Sequence, residues 1–414
     1  MRKTILLTAT GSAGDVHPLI ALGIGLKRLG QHPIIVVNEH FEPLTRQHDL
    51  AFIPLGSEAD FLKIAQNPDL WHPTKSFRVL IDYAIAPYVR PLYDIISQFD
   101  PANTIVASSG FMVGARMAHE KLGFPWVTLH LQPVLFRTVF DTPAMGGFFF
   151  PEWLPPMVKR GYFKLLDAAL IDPAIGPAVN PVRKALGLPR QKHFYGDSFH
   201  APQKSIGLFP DWFAPPQPDW PAQVELTGFV RFDGGETADL SPELAAFLEA
   251  GDPPLVFTAG SAMLYGAEFF QTSVAAAQRL GRRAILVAQG NHQIPDNLPE
   301  TILHVDYVPF SLLLPHTAVF VHHGGIGTVA QALAAGVPQL VRPITHDQPD
   351  NARRLEKLGV ATMLLTKDYE ETAVAHQLDQ LLNSPNIRNL CQKWAPQVDF
   401  DQALQHTCQR ILAL

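Results

Sequence analysis

The sequence predicts an α/β protein of two halves, each a parallel sheet covered by helices. Three observations carry this: short apolar, β-branched runs alternate with helical segments, glycine-rich turns follow the runs directly, and a proline-dense stretch splits the alternation in two. The chain has 414 residues, room for two or three domains at about 100–200 residues each.

In chain order, residues 4–9 read as a buried parallel strand, because they are apolar without alternation. Residues 11–15, Gly-Ser-Ala-Gly-Asp, are a loop, and Pro18 suits the first turn of a helix reaching about residue 29, which Gly30 closes. A second strand follows at 32–37, then the unit repeats as strand 104–107, helix 110–122 closed by Gly123, and strand 125–129. Between 137 and 221 prolines and a Phe148-Phe149-Phe150 run break the pattern, and the proline-dense stretch 209–221 reads as a semi-rigid linker. Alternation resumes with strands at 254–258, 284–288, 302–305 and 318–322. The last of these runs straight into Gly324-Gly325-Ile326-Gly327-Thr328 and a helix to 335, with a further strand at 339–342 and a helical C-terminal third. Two domains are expected, 1–215 and 225–394.

Composition narrows the function. Apolar residues make up 47% and charged residues 17%, which fits a packed globular protein and excludes disorder as the main state. The net charge of −6, with no basic stripe, argues against nucleic acid as a partner. Cys391 and Cys408 lack metal-ligand spacing and read as buried small hydrophobes in a reducing compartment. The N-terminal apolar run is too short for a signal sequence, and no window reaches the ~18 apolar residues of a membrane span. A soluble cytoplasmic protein is expected.

The strongest local signal is His322-His323-Gly324-Gly325-Ile326-Gly327-Thr328, followed by Asp347-Gln348 and Asn351. Glycines at a strand-to-helix turn let amides approach an anion, and the helix start adds about half a positive charge. His323 and Thr328 offer further donors, or Thr328 caps the helix. Asp347 and Gln348 follow a strand, at the edge where α/β proteins bind ligands, and a carboxylate beside a carboxamide suits vicinal hydroxyls. A nicotinamide dinucleotide fits the first turn poorly: Gly11 and Gly14 do not complete G-x-G-x-x-G, and Asp15 would meet the pyrophosphate.

These motifs, with Gly11-Ser12-Ala13-Gly14-Asp15-Val16-His17-Pro18, Phe257-Thr258-Ala259-Gly260-Ser261 and the segment from Phe209, resemble family 1 glycosyltransferases of the GT-B fold along essentially the whole chain. The resemblance implies two Rossmann-like domains facing a cleft, the first binding acceptor and the second donor. A last helix, about 395–414, would return to the first domain. It also implies an inverting, metal-independent enzyme with no cofactor beyond a nucleotide-diphosphate sugar as co-substrate. Among members the chain is most similar to the rhamnosyltransferase subunit of rhamnolipid biosynthesis, then to bacterial sterol and macrolide glycosyltransferases. The expected reaction moves a hexose or deoxyhexose from a UDP- or dTDP-sugar to a hydroxyl of a hydrophobic acceptor, a hydroxyalkanoate lipid, sterol or aromatic.

The matching positions carry roles across. His323 would contact the diphosphate with Gly325, Gly327 and Thr328, while Ser261 faces it from the other side. Asp347 and Gln348 would hold sugar hydroxyls, Tyr307 and Val308 would lie against the nucleobase, and Asn351 would sit near the donor. Plant members carry Trp and Asn where this chain has Ile326 and Gly327, so their donor rules do not transfer. Asp15 takes the place of the catalytic base, with His17 as rival, while an Asp at that point could instead cap the helix. Phe136, Phe148, Phe149 and Trp153 are candidates for an apolar acceptor pocket, or for core, or for peripheral contact with the inner face of the membrane. Two other readings remain open: a nucleotide-sugar epimerase of the same architecture, and a non-catalytic nucleotide-sugar-binding protein.

Overall fold

The computed structural model describes residues 2–144, 150–233 and 239–414. They fall into two compact units, one of residues 2–143, 150–230 and 400–414, the other of Ala144, 231–233 and 239–399.

The first unit holds a seven-stranded parallel sheet of β1 (Thr4–Thr8), β2 (His32–Val37), β3 (Ala51–Pro54), β4 (Thr104–Ser109), β5 (Trp126–His130), β6 (Ser205–Gly207) and β7 (Val224–Leu226), in the order 3-2-1-4-5-6-7. Its centre explains the unbroken apolar runs: Ile5, Leu6 and Leu7 are all fully buried, because helices cover both faces. The second unit holds β8 (Leu255–Thr258), β9 (Ala284–Val287), β10 (Ile302–Val305), β11 (Val319–His322), β12 (Gln339–Val341) and β13 (Ala361–Met363), in the order 10-9-8-11-12-13, again all parallel. Val256, Ile285, Leu313 and Phe320 lie at the heart of its core.

The helices that matter below are α1 (Ala13–Arg28), α2 (Pro156–Leu166), α3 (Asp172–Ala185), α4 (Ile326–Ala335), α5 (Gln348–Leu358) and α6 (Phe400–Leu412). Two expectations need correction. Helix α1 starts at Ala13 with Ser12 as its N-cap, so Pro18 lies inside the helix rather than in its first turn, where it removes one helical hydrogen bond. The stretch 209–221 is anchored in the first unit and is no linker: Phe209, Phe213 and Ala214 are buried, Trp220 lies 4.9 Å from the Phe136 ring, and Asp219 accepts a 2.9 Å bond from the Val139 amide. Aromatic side chains between the prolines bury the segment, the chain pairs once more as β7, and the units part at 230/231.

Helix α6 lies against α1 and the edge of the first sheet. Thr407 donates to Thr227 at 2.7 Å, Arg410 pairs with Glu225, and Lys204 donates to the Arg410 carbonyl at 3.0 Å. Contact is close at Gly25, where a Cβ would lie 2.9 Å from the Cys408 sulfur. Cys391 and Cys408 are both buried and free, and burial pushes each thiol up to about 12. Replacing Gly25 with Leu should overpack this contact and cost about 1–3 kcal/mol, read as a lower unfolding temperature; an unchanged transition would contradict the packing.

Candidate active site

In the second unit the site starts where β11 ends. His322, fully buried, accepts the Gly324 amide on Nδ1 (3.0 Å) and donates from Nε2 to Gln339 Oε1 on β12 (3.0 Å). Burial drives its pKa down to about 3, so the ring is neutral and its tautomer is set by these two partners. Gly324 has φ +92°, and a Cβ there would meet Val341 at 2.9 Å and the Gln348 carbonyl at 3.2 Å, so only glycine fits. On its other side Asn351 donates from Nδ2 to the Gly324 carbonyl (2.9 Å) and to Asp347 Oδ2 (2.7 Å). The turn is held from β12 and from α5 at once.

What the turn presents is an open helix end. Gly325 is the N-cap of α4 and offers no side chain, and the first helical bond runs from the Val329 amide to the Gly325 carbonyl. The amides of Ile326, Gly327 and Thr328 therefore precede the hydrogen-bonded ladder, and Thr328 does not cap. Gly327 is exposed, with open space where a side chain would stand. The His323 ring lies against two glycines: a Cβ on Gly260 would come within 2.6 Å of it and one on Gly325 within 2.5 Å. Burial lowers its pKa to about 4, and its Nδ1 has no hydrogen-bond partner among the described residues. A neutral imidazole, three amides and a helix dipole form a donor set for an anion.

Around the turn the other expected donor residues divide. Ser261 is exposed, directly after Gly260. Tyr307 is exposed, whereas Val308 is buried, and no backbone hydrogen bond among the described residues uses the Val308 amide or carbonyl. Asp347 is half-buried. Gln348 is turned inward, its Oε1 accepting from the Ile344 (2.8 Å) and Thr345 (3.2 Å) amides, so only Nε2 remains for a ligand. Asn351 is fully buried and serves the turn itself. Sequence reasoning gave the ligand role to His323 and assigned none to His322; the structure makes His322 the scaffold of the turn, and its Gln339 partner carried no local signal.

In the first unit Asp15 is the third residue of α1 and completes a capping box: Ser12 donates to Asp15 Oδ2 from its amide (2.9 Å) and its hydroxyl (3.3 Å), and the Gly14 amide donates back to Ser12 Oγ (3.2 Å). A Cβ on Gly11 would fall 2.2 Å from Oδ2, so the carboxylate lies directly on glycine backbone. Both hydrogen bonds go to one oxygen and leave Oδ1 outside the box. Burial outweighs the Ser12 bonds and raises the carboxyl to about 6. His17 is half-buried, its pKa lowered by burial, and two residues along a helix it does not share a face with Asp15.

Of the four apolar candidates the two described ones, Phe136 and Trp153, stand in different surroundings. Phe136 is core, 1% exposed, with rings of His200 and Trp220 at 5.2 and 4.9 Å. Trp153 is 79% exposed on the surface. Phe148 and Phe149 lie outside the described residues. Among the described residues, no three His, Cys, Asp or Glu side chains are grouped to hold a metal ion.

Two doubly wound units, the second ending a strand on a glycine turn and an uncapped helix, are the architecture of a GT-B glycosyltransferase, and the comparisons with known proteins agree. Residues 5–140 match the glycosyltransferase family 28 N-terminal domain, and 274–413 match the erythromycin biosynthesis protein CIII-like C-terminal domain. The chain is 30% identical over 374 residues to O-mycaminosyltylonolide 6-deoxyallosyltransferase of Streptomyces fradiae, covering 86% of this chain and 84% of that one. It is 27% identical to vancomycin aglycone glucosyltransferase of Amycolatopsis orientalis, covering 86% and 84%. It also matches sterol 3-beta-glucosyltransferase of Debaryomyces hansenii at 26%, but spans only 23% of that protein. Among solved structures, the kitacinnamycin glycosyltransferase superposes with a TM-score of 0.74 at 17% identity (100% and 99% covered). The glycosyltransferase VinC in complex with dTDP superposes at 0.70 and 18% (100% and 99% covered). The chain belongs to this glycosyltransferase family.

Exchanging His322 for Phe keeps a ring but orphans the Gly324 amide and the Gln339 oxygen, at about 1–3 kcal/mol each. Both the unfolding temperature and nucleoside-diphosphate affinity should fall; an affinity unchanged in a destabilised variant would show that the clamp does not aim the turn.

Proposed function

We propose that this enzyme transfers a hexose or deoxyhexose from a UDP- or dTDP-sugar to a hydroxyl of an apolar acceptor, with inversion and without a metal ion. The observation that carries it is the uncapped start of α4 beside the neutral imidazole of His323, whose Nδ1 has no hydrogen-bond partner among the described residues. On this reading the amides of Ile326, Gly327 and Thr328, the Thr328 hydroxyl and the His323 N–H bind the diphosphate and stabilise the charge it gains on leaving. Ser261 adds a hydroxyl, the Val308 backbone and Tyr307 receive the nucleobase, and Asp347 with Gln348 Nε2 binds sugar hydroxyls. Asp15 Oδ1 takes the acceptor's hydroxyl proton as that oxygen bonds to the anomeric carbon, and the bond to the diphosphate breaks on the opposite face. One such displacement inverts the anomeric centre.

VinC's complex with dTDP and the 6-deoxyallosyl and glucosyl transfers named for relatives support a nucleotide sugar as donor. Macrolide, glycopeptide-aglycone and sterol names among them support a bulky apolar acceptor, of which a hydroxyalkanoate lipid receiving rhamnose is one form. Free buried thiols suit a reducing cytoplasm.

Two variants test the assignment. His323→Ala should weaken dTDP or UDP binding about tenfold or more, the worth of a hydrogen bond to a charged group; wild-type affinity would remove the phosphate role. Asp15→Asn, which keeps the cap, should leave that affinity unchanged and cut transfer about a hundredfold or more at saturating acceptor. Conversion of donor without any acceptor would instead indicate an epimerase, and donor binding with no transfer by the wild type a binding protein.

The pH dependence has a definite sign. A base with its carboxyl near 6 is protonated below that value, so transfer should fall as the pH drops through about 6. The same upward shift means that the stability Asp15 contributes is present below its ordinary value of 3.8 and lost as pH rises through about 6. Asp15→Asn should therefore unfold no earlier than wild type at pH 8. A loss of stability there would trace inactivation to folding.

A further inference from the structure

Six of the twelve large apolar side chains exposed among the described residues fall within eighteen positions: Trp153, Met157, Val158, Tyr162, Leu165 and Leu170. Trp153, Met157 and Leu165 are 79%, 82% and 65% exposed, far above the scattered single residues any surface shows. They sit on α2 and its flanks, part of one helical run from Pro156 to Ala185. At 100° per residue Met157, Val158, Tyr162 and Leu165 share one arc, whereas Phe163 and the Lys159 stem, both buried, form the side packed on the unit. The helix is thus apolar on its inner side and again on its outer side.

The charges around this strip have one dominant sign. Arg160 and Lys164, one turn apart, are exposed and border the outer arc. The segment between 150 and 171 holds two acidic residues, Glu152 and Asp167, and Asp167 is engaged by both oxygens with Arg137 (2.8 and 2.9 Å). A chain of net charge −6 therefore carries a local cationic border beside the largest concentration of exposed apolar side chains among the described residues.

We propose that this face of α2 docks on an anionic bilayer surface, with Trp153, Met157 and Leu165 entering the headgroup region and Arg160 and Lys164 meeting lipid phosphates. Trp at the polar boundary, long apolar side chains on one arc and flanking cations are what an interfacial helix requires. The helix lies on the membrane and does not cross it, since no described helix is long and apolar enough to span one. A protein partner would bury the same apolar arc but has no need of a cationic border. The proposal is independent of which donor and acceptor the enzyme uses.

Vesicle co-sedimentation of the full chain tests it. Wild type should bind vesicles containing phosphatidylglycerol, bind pure phosphatidylcholine weakly, and release in 0.5 M salt. Met157→Ser with Leu165→Ser should lower partition by about tenfold per residue, and Arg160→Gln with Lys164→Gln by about fivefold per charge. Unchanged nucleoside-diphosphate affinity and unfolding temperature would show that these variants are folded. Failure of wild type to sediment with anionic vesicles, or equal binding to neutral ones, overturns the proposal. So does a concentration-dependent dimer that Met157→Ser with Leu165→Ser dissolves, since the face would then belong to a second copy of this chain.

Discussion

A helix that begins with unpaired amides must find an acceptor for them, and the two units meet this requirement in opposite ways. Each runs from a central strand through a glycine turn into a helix. In α1 the turn is closed from within: Ser12 caps, and the third residue, Asp15, returns its carboxylate to the Ser12 amide. In α4 the N-cap is Gly325, the third residue is Thr328, and no side chain closes the end. The first unit spends its positive helix end on its own carboxylate; the second leaves it for a ligand. The same topology yields a buried acid in one unit and an open helix end in the other, and a phosphate at the first turn would meet Asp15.

Most of the second site is scaffolding for that open end. Gly324 has to be glycine because Val341 and the Gln348 carbonyl crowd it, and Gly260 and Gly325 have to be glycine because the His323 ring lies against both. His322 and Asn351 fix Gly324 between them, one accepting its amide and the other donating to its carbonyl, so both peptide planes at the turn are held. Burial keeps both histidines neutral; in His322 this fits its two fixed partners, and in His323 it would allow donation to an anion without the cost of burying a cation. Asp15 is held by similar logic: Gly11 admits its carboxylate, Ser12 occupies one oxygen, and burial lifts its basicity into the range where a base is effective near neutral pH.

How much of this was legible in the sequence follows from what each residue answers to. Central strands such as β1 and β11 answer to local apolarity and were readable, whereas β3, β6, β7 and β13, three or four residues each at or near sheet edges, pair through contacts distant in sequence and left no pattern. Proline suggested a linker at 209–221, but Phe209, Phe213 and Trp220 decide the matter by burying into the first unit. Pro18 suggested a helix start, but the Ser12–Asp15 capping box sets it five residues earlier. The glycine turn and the histidines were visible as a motif. That His322 is tied to the scaffold, and that Gln348 Oε1 and Asn351 Nδ2 bond the backbone around the turn, depends on Gln339 and Gly324 across the sheet and so emerges only in three dimensions.

The central claim is that the open start of α4 is the anion site. The most direct measurement is the backbone amide spectrum of ¹⁵N-labelled protein during titration with thymidine diphosphate. The resonances of Ile326, Gly327 and Thr328 should move most and saturate together, with those of Ser12 to Asp15 far less affected. If the α4 amides stay in place at saturation while the Gly11–Asp15 turn shifts, the assignment of the two helix ends is reversed and the account fails.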